Sequence, residues 1–276
     1  MFSSSFASHR PFSSRDGDCR FLLGVQNVRS LCASGRFAHV ISEIQAHNIN
    51  FVCLTETWLR QDDVLPDFGL SIAGLSCYSW PRDGCMRGGG LAIICRNDFS
   101  LNEKALPIFA AFEQTTLTVT CKGALVFTVS VIYRPPASSL STFMLEFDDF
   151  LERMCTSNKH LIVGDFNIRI DNTNECYVKR FLDLLSQYGL SQYVQDPTHT
   201  AGHTIDLIIA RDSDELIDSV SVHDLGISDH SLVLCKLNAI TNCKNVFSHN
   251  VRSWKNGDFN RFELDLSSSQ ICNTDF

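Results

Sequence analysis

An apolar run, Leu161-Ile162-Val163-Gly164, stops at the carboxylate of Asp165 and, two residues on, the amide of Asn167. Such a run predicts a buried strand, and the C-terminal ends of strands are where many sheet enzymes place their chemistry. Along an extended chain Asp165 and Asn167 point the same way, so one could handle a proton while the other orients the reacting group. An Asx turn closing the strand is the alternative use of the same two residues. What favours chemistry is company, because three other apolar strands also end in polar residues of catalytic type.

The first of these ends Val25-Gln26-Asn27-Val28-Arg29-Ser30 and the second Leu54-Thr55-Glu56-Thr57-Trp58. Adjacent strands of one unit place Asn27 and Glu56 at the same sheet edge. A carboxylate beside an amide, both oxygen ligands, suits a hard cation such as Mg²⁺. The long central strand ends Ile132-Tyr133-Arg134-Pro135-Pro136, where two prolines force the chain out of the sheet. Tyr133 can donate to a phosphate oxygen or simply pack. Before the last strand comes Gly226-Ile227-Ser228-Asp229-His230, and an earlier one carries Thr204-Ile205-Asp206-Leu207. An imidazole needs a partner on its second nitrogen, commonly a buried Asp, which makes Asp206 the candidate to orient His230. No nucleophile elbow of the G-x-S-x-G kind and no phosphate-binding G-x4-G-K loop is present. The inventory fits metal-assisted attack of water on a phosphoester.

These groups need elements to hold them. The pattern predicts a strand near Phe21 to Gln26, a helix near Phe37 to His47 and a strand at Phe51 to Leu54, a strand-helix-strand unit. Runs at Leu91 to Cys95, Thr115 to Thr120 and Leu125 to Tyr133 follow with short polar connections and read as a meander. Helices fit Phe143 to Met154 and Val178 to Tyr188, the latter stopping at Gly189. Strands at Ile205 to Ala210, Leu216 to Val222 and Ser231 to Leu237 close the domain. Runs of strands broken by a few helices indicate layered α/β with two packed sheets. Phe147-Asp148-Asp149-Phe150 imitates a polymerase carboxylate pair, but it falls inside a helical pattern and reads as a solvated helix face.

Length and composition bound the rest. The chain has 276 residues, 44% of them hydrophobic, enough for one large core. A mean hydropathy near zero and the lack of a long apolar run predict a soluble chain without a membrane span. A net charge of -8, from 23 basic and 31 acidic residues, lowers the expectation of nucleic acid without excluding it. A local basic patch and a bridging metal can still seat DNA. Among twelve cysteines, Cys53, Cys95, Cys121 and Cys235 sit inside apolar strands and no CxxC pair occurs, which reads as buried thiols in a reducing, intracellular compartment. Residues 1–18, rich in Ser, Phe and Arg, read as an unstructured leader, with a transit peptide as the alternative.

With these residues in order, the chain resembles the endonuclease/exonuclease/phosphatase superfamily over roughly residues 20 to 238. Asn27-Val28-Arg29-Ser30, Thr55-Glu56-Thr57-Trp58, Gly164-Asp165-Phe166-Asn167 and Ser228-Asp229-His230 match its strand-end signatures in sequence. Leu54 to Leu59, Tyr133 to Pro136 and Pro197 to Leu207 look similar to the apurinic-type endonuclease of non-LTR (LINE-type) retrotransposons. The resemblance implies a four-layer α/β sandwich, two packed mixed β-sheets flanked by helices, over residues 19–238. It implies that a tail, 239–276, is similar to the linker toward a reverse transcriptase. It implies Mg²⁺, with Mn²⁺ as the alternative, held by Glu56 with Asn27 and Asp229. Asp165 would take or deliver a proton with Asn167 orienting it, Tyr133 and His230 would grip the scissile phosphate, and Asp206 would hold the imidazole. The implied partner is double-stranded DNA, nicked to leave a 3'-hydroxyl and a 5'-phosphate in the nucleus or cytoplasm, with no membrane.

Two other functions use the same residues: a phosphatase or phospholipid phosphodiesterase of the same superfamily, and an inactive retrotransposon-derived binding module. No aromatic residue stands immediately ahead of Ser228-Asp229-His230, which argues against a repair-type abasic pocket. The loop from Asp196 to His203 is polar enough to enter a DNA groove or to be an ordinary connection. Its His199 and His203 imitate metal ligands, but Gly202 and Pro197 argue against the helix a zinc pair would need. Arg87-Gly88-Gly89-Gly90 reads as a flexible turn or as backbone able to approach a phosphate.

Overall fold

A computed structural model describes residues 21–63, 70, 73–82, 88–121, 124–154 and 159–238. The leader at 1–18, Arg87 and the tail at 239–276 lie outside the described residues.

Strands β1 (Phe21–Asn27) and β2 (Phe51–Thr55) are joined by helix α1 (Arg36–Ala46) and pair in parallel. Strands β3 (Leu75–Trp80) and β4 (Leu91–Arg96) extend this sheet on one side. The late strands β11 (Ile217–His223) and β12 (Leu232–Leu237) extend it on the other, in the order β11-β12-β1-β2-β4-β3. The second sheet holds β5 (Phe99–Glu103), β6 (Glu113–Cys121), β7 (Ala124–Tyr133), β8 (His160–Asp165), β9 (Leu190–Gln192) and β10 (Asp206–Arg211). Its order is β5-β6-β7-β8-β10-β9. Helices α2 (Leu140–Met154) and α3 (Cys176–Gln187) belong to this half of the chain.

Period-two alternation explains the layers. One face of each sheet, Leu23, Val25, Phe51, Cys53 and Ile93 from the first and Val129, Val131, Leu161, Val163 and Ile208 from the second, meets in a shared core. The outer face of the first sheet, Val52, Leu54 and Ile94, receives Val40, Ile41 and Ile44 of α1. The outer face of the second, Ile132, Ile162 and Leu207, receives Phe143, Phe147 and Phe150 of α2 and Phe181 of α3. Two mixed six-stranded sheets flanked by three helices among the described residues make the sandwich expected from the sequence. The expected meander is corrected. Leu91 to Cys95 pairs with β2 and β3 in the first sheet, whereas the next two runs form a hairpin with β5 in the second. Between the first two runs lie β5 and the apolar stretch Ala105 to Phe112, so that connection is neither short nor polar and the chain changes sheet within it.

Asp148 and Asp149 lie on α2, where Asp149 pairs with Arg153 and Asp148 accepts the Tyr188 hydroxyl, in keeping with a helix face. No helix of the described residues is long and apolar enough to cross a membrane.

One buried polar chain in the second sheet yields a stability prediction. His160 Nε2 is 2.9 Å from Ser130 Oγ, itself 2.7 Å from Thr116 Oγ1. Burial, then Lys104 and Arg211, pull this imidazole down to about 3. Between that value and the ordinary 6.5 the unfolded chain binds a proton that the native state does not, so stability is full above pH 6.5 and falls as pH drops. From pH 7.5 to 5, wild type should lose roughly 2 kcal/mol more unfolding free energy in urea than His160→Gln. Equal losses in the two proteins would contradict a neutral buried imidazole.

Candidate active site

Register brings the strand ends to one edge. Asn27 is paired with Thr55 across parallel β1 and β2, which puts Glu56 one residue past that pair. In the other sheet Tyr133 is paired with Asp165 across parallel β7 and β8, and Asp206 is paired with Asp165 from antiparallel β10. β12 runs antiparallel to β1, so Ser228 to His230, which precede it, arrive at the Asn27 end.

Asp165 and Asn167 converge, but not by strand alternation. β8 ends at Asp165, and Asn167 takes a left-handed conformation, φ +50. Its N–H donates to Asp165 Oδ1 at 2.9 Å and its Nδ2 to Asp165 Oδ2 at 3.1 Å. The Asx turn and the paired carboxylate and amide are therefore one object. Asn27 Nδ2 also donates to Asp165 Oδ2, at 2.9 Å, across from the other sheet. Gly164 allows the approach, since at its φ of +134 a Cβ would lie 1.9 Å from the carbonyl oxygen of Ile132.

Glu56 sits in a left-handed turn, φ +52, and accepts a hydrogen bond from the Tyr133 hydroxyl. Tyr133 is thus buried, but its phenol is engaged rather than merely packed. Burial, then the hydrogen bond to Glu56, push that phenol well above its ordinary range, so it stays a donor.

His230 Nδ1 is 2.8 Å from Asp206 Oδ2, with both side chains nearly inaccessible. The imidazole thus has a buried carboxylate on its second nitrogen. Asp229, beside it, accepts from Arg29 at 2.6 Å and lies 3.4 Å from His199 Nε2. Ser228 ties this loop to the first sheet by donating to the Asn27 carbonyl at 2.6 Å and accepting the His230 N–H at 3.1 Å. Thr198 holds Asp206 in turn, its buried Oγ1 accepting the N–H groups of Ile205 at 3.1 Å and Asp206 at 3.0 Å. Thr198→Val strands both donors, so urea titration should show a loss of roughly 2–4 kcal/mol. A change under about 0.5 kcal/mol, the size of an ordinary surface substitution, would contradict this bracing role.

Electrostatics divide the acids. Burial raises the Asp165 carboxyl, and the Asp206 charge adds to it, against opposition from His230 and the Asn27 and Asn167 donors. Burial disfavours charge on His230 too, but the Asp206 hydrogen bond and the charges of Asp206, Asp165 and Asp229 prevail and lift it to about 9. For Asp229, burial raises the carboxyl, yet its own N–H, His230, Arg29 and His199 hold it below the usual range. The result is a cationic imidazole facing a carboxyl poised to carry a proton.

A cation fits this donor set. Oδ1 of Asp206 and Oδ1 of Asp229 are buried and take no hydrogen bond, a desolvation cost that a divalent ion would offset. Carboxylate and amide oxygens are what a hard ion prefers. Among the described residues, ligand atoms lie within 4.8 Å of one another in two groups, His199-Asp229-His230 and Asp165-Asp206-His230. Of the expected set, Asp229 is in the first group, while Asn27 faces Asp165 and Glu56 faces Tyr133. Within the first group His199 Nδ1 accepts the Ala201 N–H at 3.0 Å, and its Nε2 lies 3.4 Å from Asp229 Oδ2.

Several supporting residues escaped the sequence reading. Arg134, 5% exposed, donates to the carbonyls of Asn167 and Ser138, while Asn167 Nδ2 donates back to the Arg134 carbonyl. Only its place beside Tyr133 signalled it. Arg29 and Ser228 lay inside recognised motifs without an assigned role. The glycines at 88–90 fold against the Glu56 turn, Gly89 and Gly90 carbonyls accepting the N–H groups of Trp58 and Thr57. His203 is held by Asp171, and with Arg134, Asn167, Arg169, Tyr177 and His199 it lines a cavity of about 390 Å³ beside Asn167.

A model of the Endonuclease/Exonuclease/phosphatase family matches residues 24–230. The chain belongs to that family. Solved structures of this fold include the endonuclease domain of TRAS1, a telomere-specific non-LTR retrotransposon, at TM-score 0.63 and 14% identity over 80% of this chain and 100% of that one. The human Nocturnin catalytic domain with bound sulfate superposes at TM-score 0.62 and 18% identity, over 82% and 97%. The 3' phosphatase NExo from Neisseria, bound to a product DNA hairpin, does so at 0.61 and 20%, over 79% and 100%. At these identities the likeness is one of fold. No curated protein matches the sequence. For this endonuclease/exonuclease/phosphatase chain the site described above lies within the matched span, His230 being its last residue.

Proposed function

We propose that the chain is a divalent-cation-dependent DNA endonuclease, hydrolysing one phosphodiester to leave a 3'-hydroxyl and a 5'-phosphate. The observation that carries this reading is the junction of Asn27, Asp165 and Asn167 from two sheets with the Asp206-His230 pair. Glu56, Asn27 and Asp229 would hold Mg²⁺ or Mn²⁺, which when bound supplies Lewis-acid stabilisation of charge on the leaving 3' oxygen.

The chain's own groups divide the remaining work. Asp165 Oδ2, fixed by two amide donors, accepts the proton of the attacking water. Asn167, anchored to Arg134, keeps that oxygen aimed. His230, cationic and oriented through Nδ1 by Asp206, donates from Nε2 to a nonbridging phosphate oxygen. Tyr133 grips a second one by turning toward it the single hydroxyl hydrogen that it otherwise gives to Glu56. Arg29 and the Asp196 to His203 loop supply positive and polar groups for flanking backbone. DNA is favoured over other phosphoesters by the retrotransposon-like wording of Leu54 to Leu59 and Pro197 to Leu207 and by the likeness to the TRAS1 domain. Placement in the nucleus follows from that substrate, and the cytoplasmic alternative from the reading of the strand cysteines as reduced thiols.

A phosphomonoesterase is the second reading, favoured by the fold likeness to a 3' phosphatase. Nicked plasmid from the full chain should be sealed by DNA ligase without prior end treatment. Phosphate release from a 3'-phosphorylated or inositol phosphate substrate, with plasmid left intact, would overturn the endonuclease assignment.

A further inference from the structure

Glu113 and Arg82 belong to none of the strand-end motifs, yet they complete a circuit around Glu56 and Tyr133. Glu113 opens β6 directly opposite Tyr133 on β7. Its carboxylate accepts the Gly90 N–H at 2.7 Å and forms an ion pair with Arg82. The Arg82 guanidinium carbon lies 5.7 Å from the centroid of the Tyr133 ring. Tyr133 donates to Glu56. The backbone following Glu56 returns to the start, Thr57 N–H donating to the Gly90 carbonyl at 3.1 Å and Trp58 N–H to that of Gly89 at 2.9 Å.

Two features suggest that this circuit serves more than fold closure. Glycine suits the turn beneath it, since φ +75 at Gly89 is left-handed and a Cβ there would lie 2.3 Å from Arg82 Cζ and displace the guanidinium. The turn it steadies is left-handed at both Glu56 and Trp58, φ +52 and +54, a conformation that costs non-glycine residues energy and persists only when surroundings enforce it. Backbone bonds from Ser30 to the Glu56 carbonyl and from Leu31 to that of Thr57 hold the other side of the turn.

We infer that Glu113 and Arg82 are positioning residues, Glu113 acting on Glu56 through Gly90 and on Tyr133 through Arg82. This rests on the proposed roles of Glu56 at the cation and Tyr133 at the phosphate. Removing either residue should loosen the cation site more than it loosens DNA binding.

The test is calorimetric titration of the full chain with Mn²⁺, paired with nicking kinetics, for wild type, Glu56→Ala, Arg82→Ala, Glu113→Ala and Glu113→Gln. Arg82→Ala and Glu113→Ala should weaken Mn²⁺ binding about ten-fold, as loss of a group supporting a metal ligand does. They should lower kcat while KM for DNA stays within about two-fold. Glu113→Gln, which keeps an acceptor for Gly90 but loses the ion pair, should fall between them and wild type. Should Glu113→Ala fail to fold, Arg82→Ala and Glu113→Gln decide. Wild-type Mn²⁺ affinity and kcat in those two, with only the unfolding midpoint lowered, would overturn the inference and leave a fold brace. Glu56→Ala binding Mn²⁺ like wild type would instead overturn the cation assignment. The circuit is then judged on kcat alone, and an unchanged kcat in Arg82→Ala overturns it.

Discussion

Asp165→Asn should lower the single-turnover rate of DNA nicking by about 10³-fold, within the range for loss of a positioned acid or base. The substitution is close to isosteric, so the cause lies in protons and donors rather than in volume. Asp165 receives the Asn27 and Asn167 amides on Oδ2 and the Asn167 N–H on Oδ1. An asparagine offers one acceptor and one donor, so whichever way it turns an N–H meets another N–H. The group that takes the proton is lost together with the geometry that aims it. DNA affinity, measured by fluorescence anisotropy in Ca²⁺, should stay near wild type. A variant of native stability that nicks at the wild-type rate would remove Asp165 from the chemistry.

The second large effect concerns the imidazole. His230→Ala should reduce nicking by about 10³-fold, and Asp206→Asn by about 10²-fold or more, because an amide no longer secures the tautomer or the charge. The two losses should not add. Asp206 acts on the reaction through Nδ1 of His230, so once the imidazole is gone the carboxylate has nothing to orient and the double variant should match His230→Ala. Multiplicative losses in the double variant would mean that Asp206 acts independently, as a cation ligand through its unpartnered Oδ1. The kinetic cycle therefore separates two uses of one buried carboxylate.

Much of this site was readable because its residues end apolar strands. Asp165, Asn167, Asn27, Glu56 and Tyr133 follow β-rich runs whose burial is visible in composition, and parallel pairing then forces their ends together. What was not readable depends on partners far away in the chain. Glu113 is a plain acid at the head of a strand until Gly90 and Arg82 meet it. Thr198 looks like a loop residue until two buried N–H groups reach its hydroxyl. Asp165 and Asn167 meet through a left-handed Asn167 rather than through strand alternation, a conformation that has no signature in the spacing.

The fold followed the same division. Strands with continuous apolar cores, such as β2 and β8, buried at every position, stood out. The peripheral ones did not. β3 alternates poorly through Tyr78 and Ser79, β5 is exposed at three of its five positions, and β9 is three residues long. The switch from one sheet to the other after β4 carries no local signal, because it falls on two residues, Asn97 and Asp98, that read like any polar turn.

Conversion of supercoiled plasmid to open circle by the full chain, with Mg²⁺ or Mn²⁺ and again after chelation with EDTA, tests the central claim most directly. A folded wild-type protein should nick the plasmid only when the ion is present, and Asp165→Asn at equal concentration should leave it supercoiled. Plasmid that stays intact with the ion, or that is nicked equally in EDTA, would contradict a cation-dependent phosphodiesterase centred on Asp165 and His230.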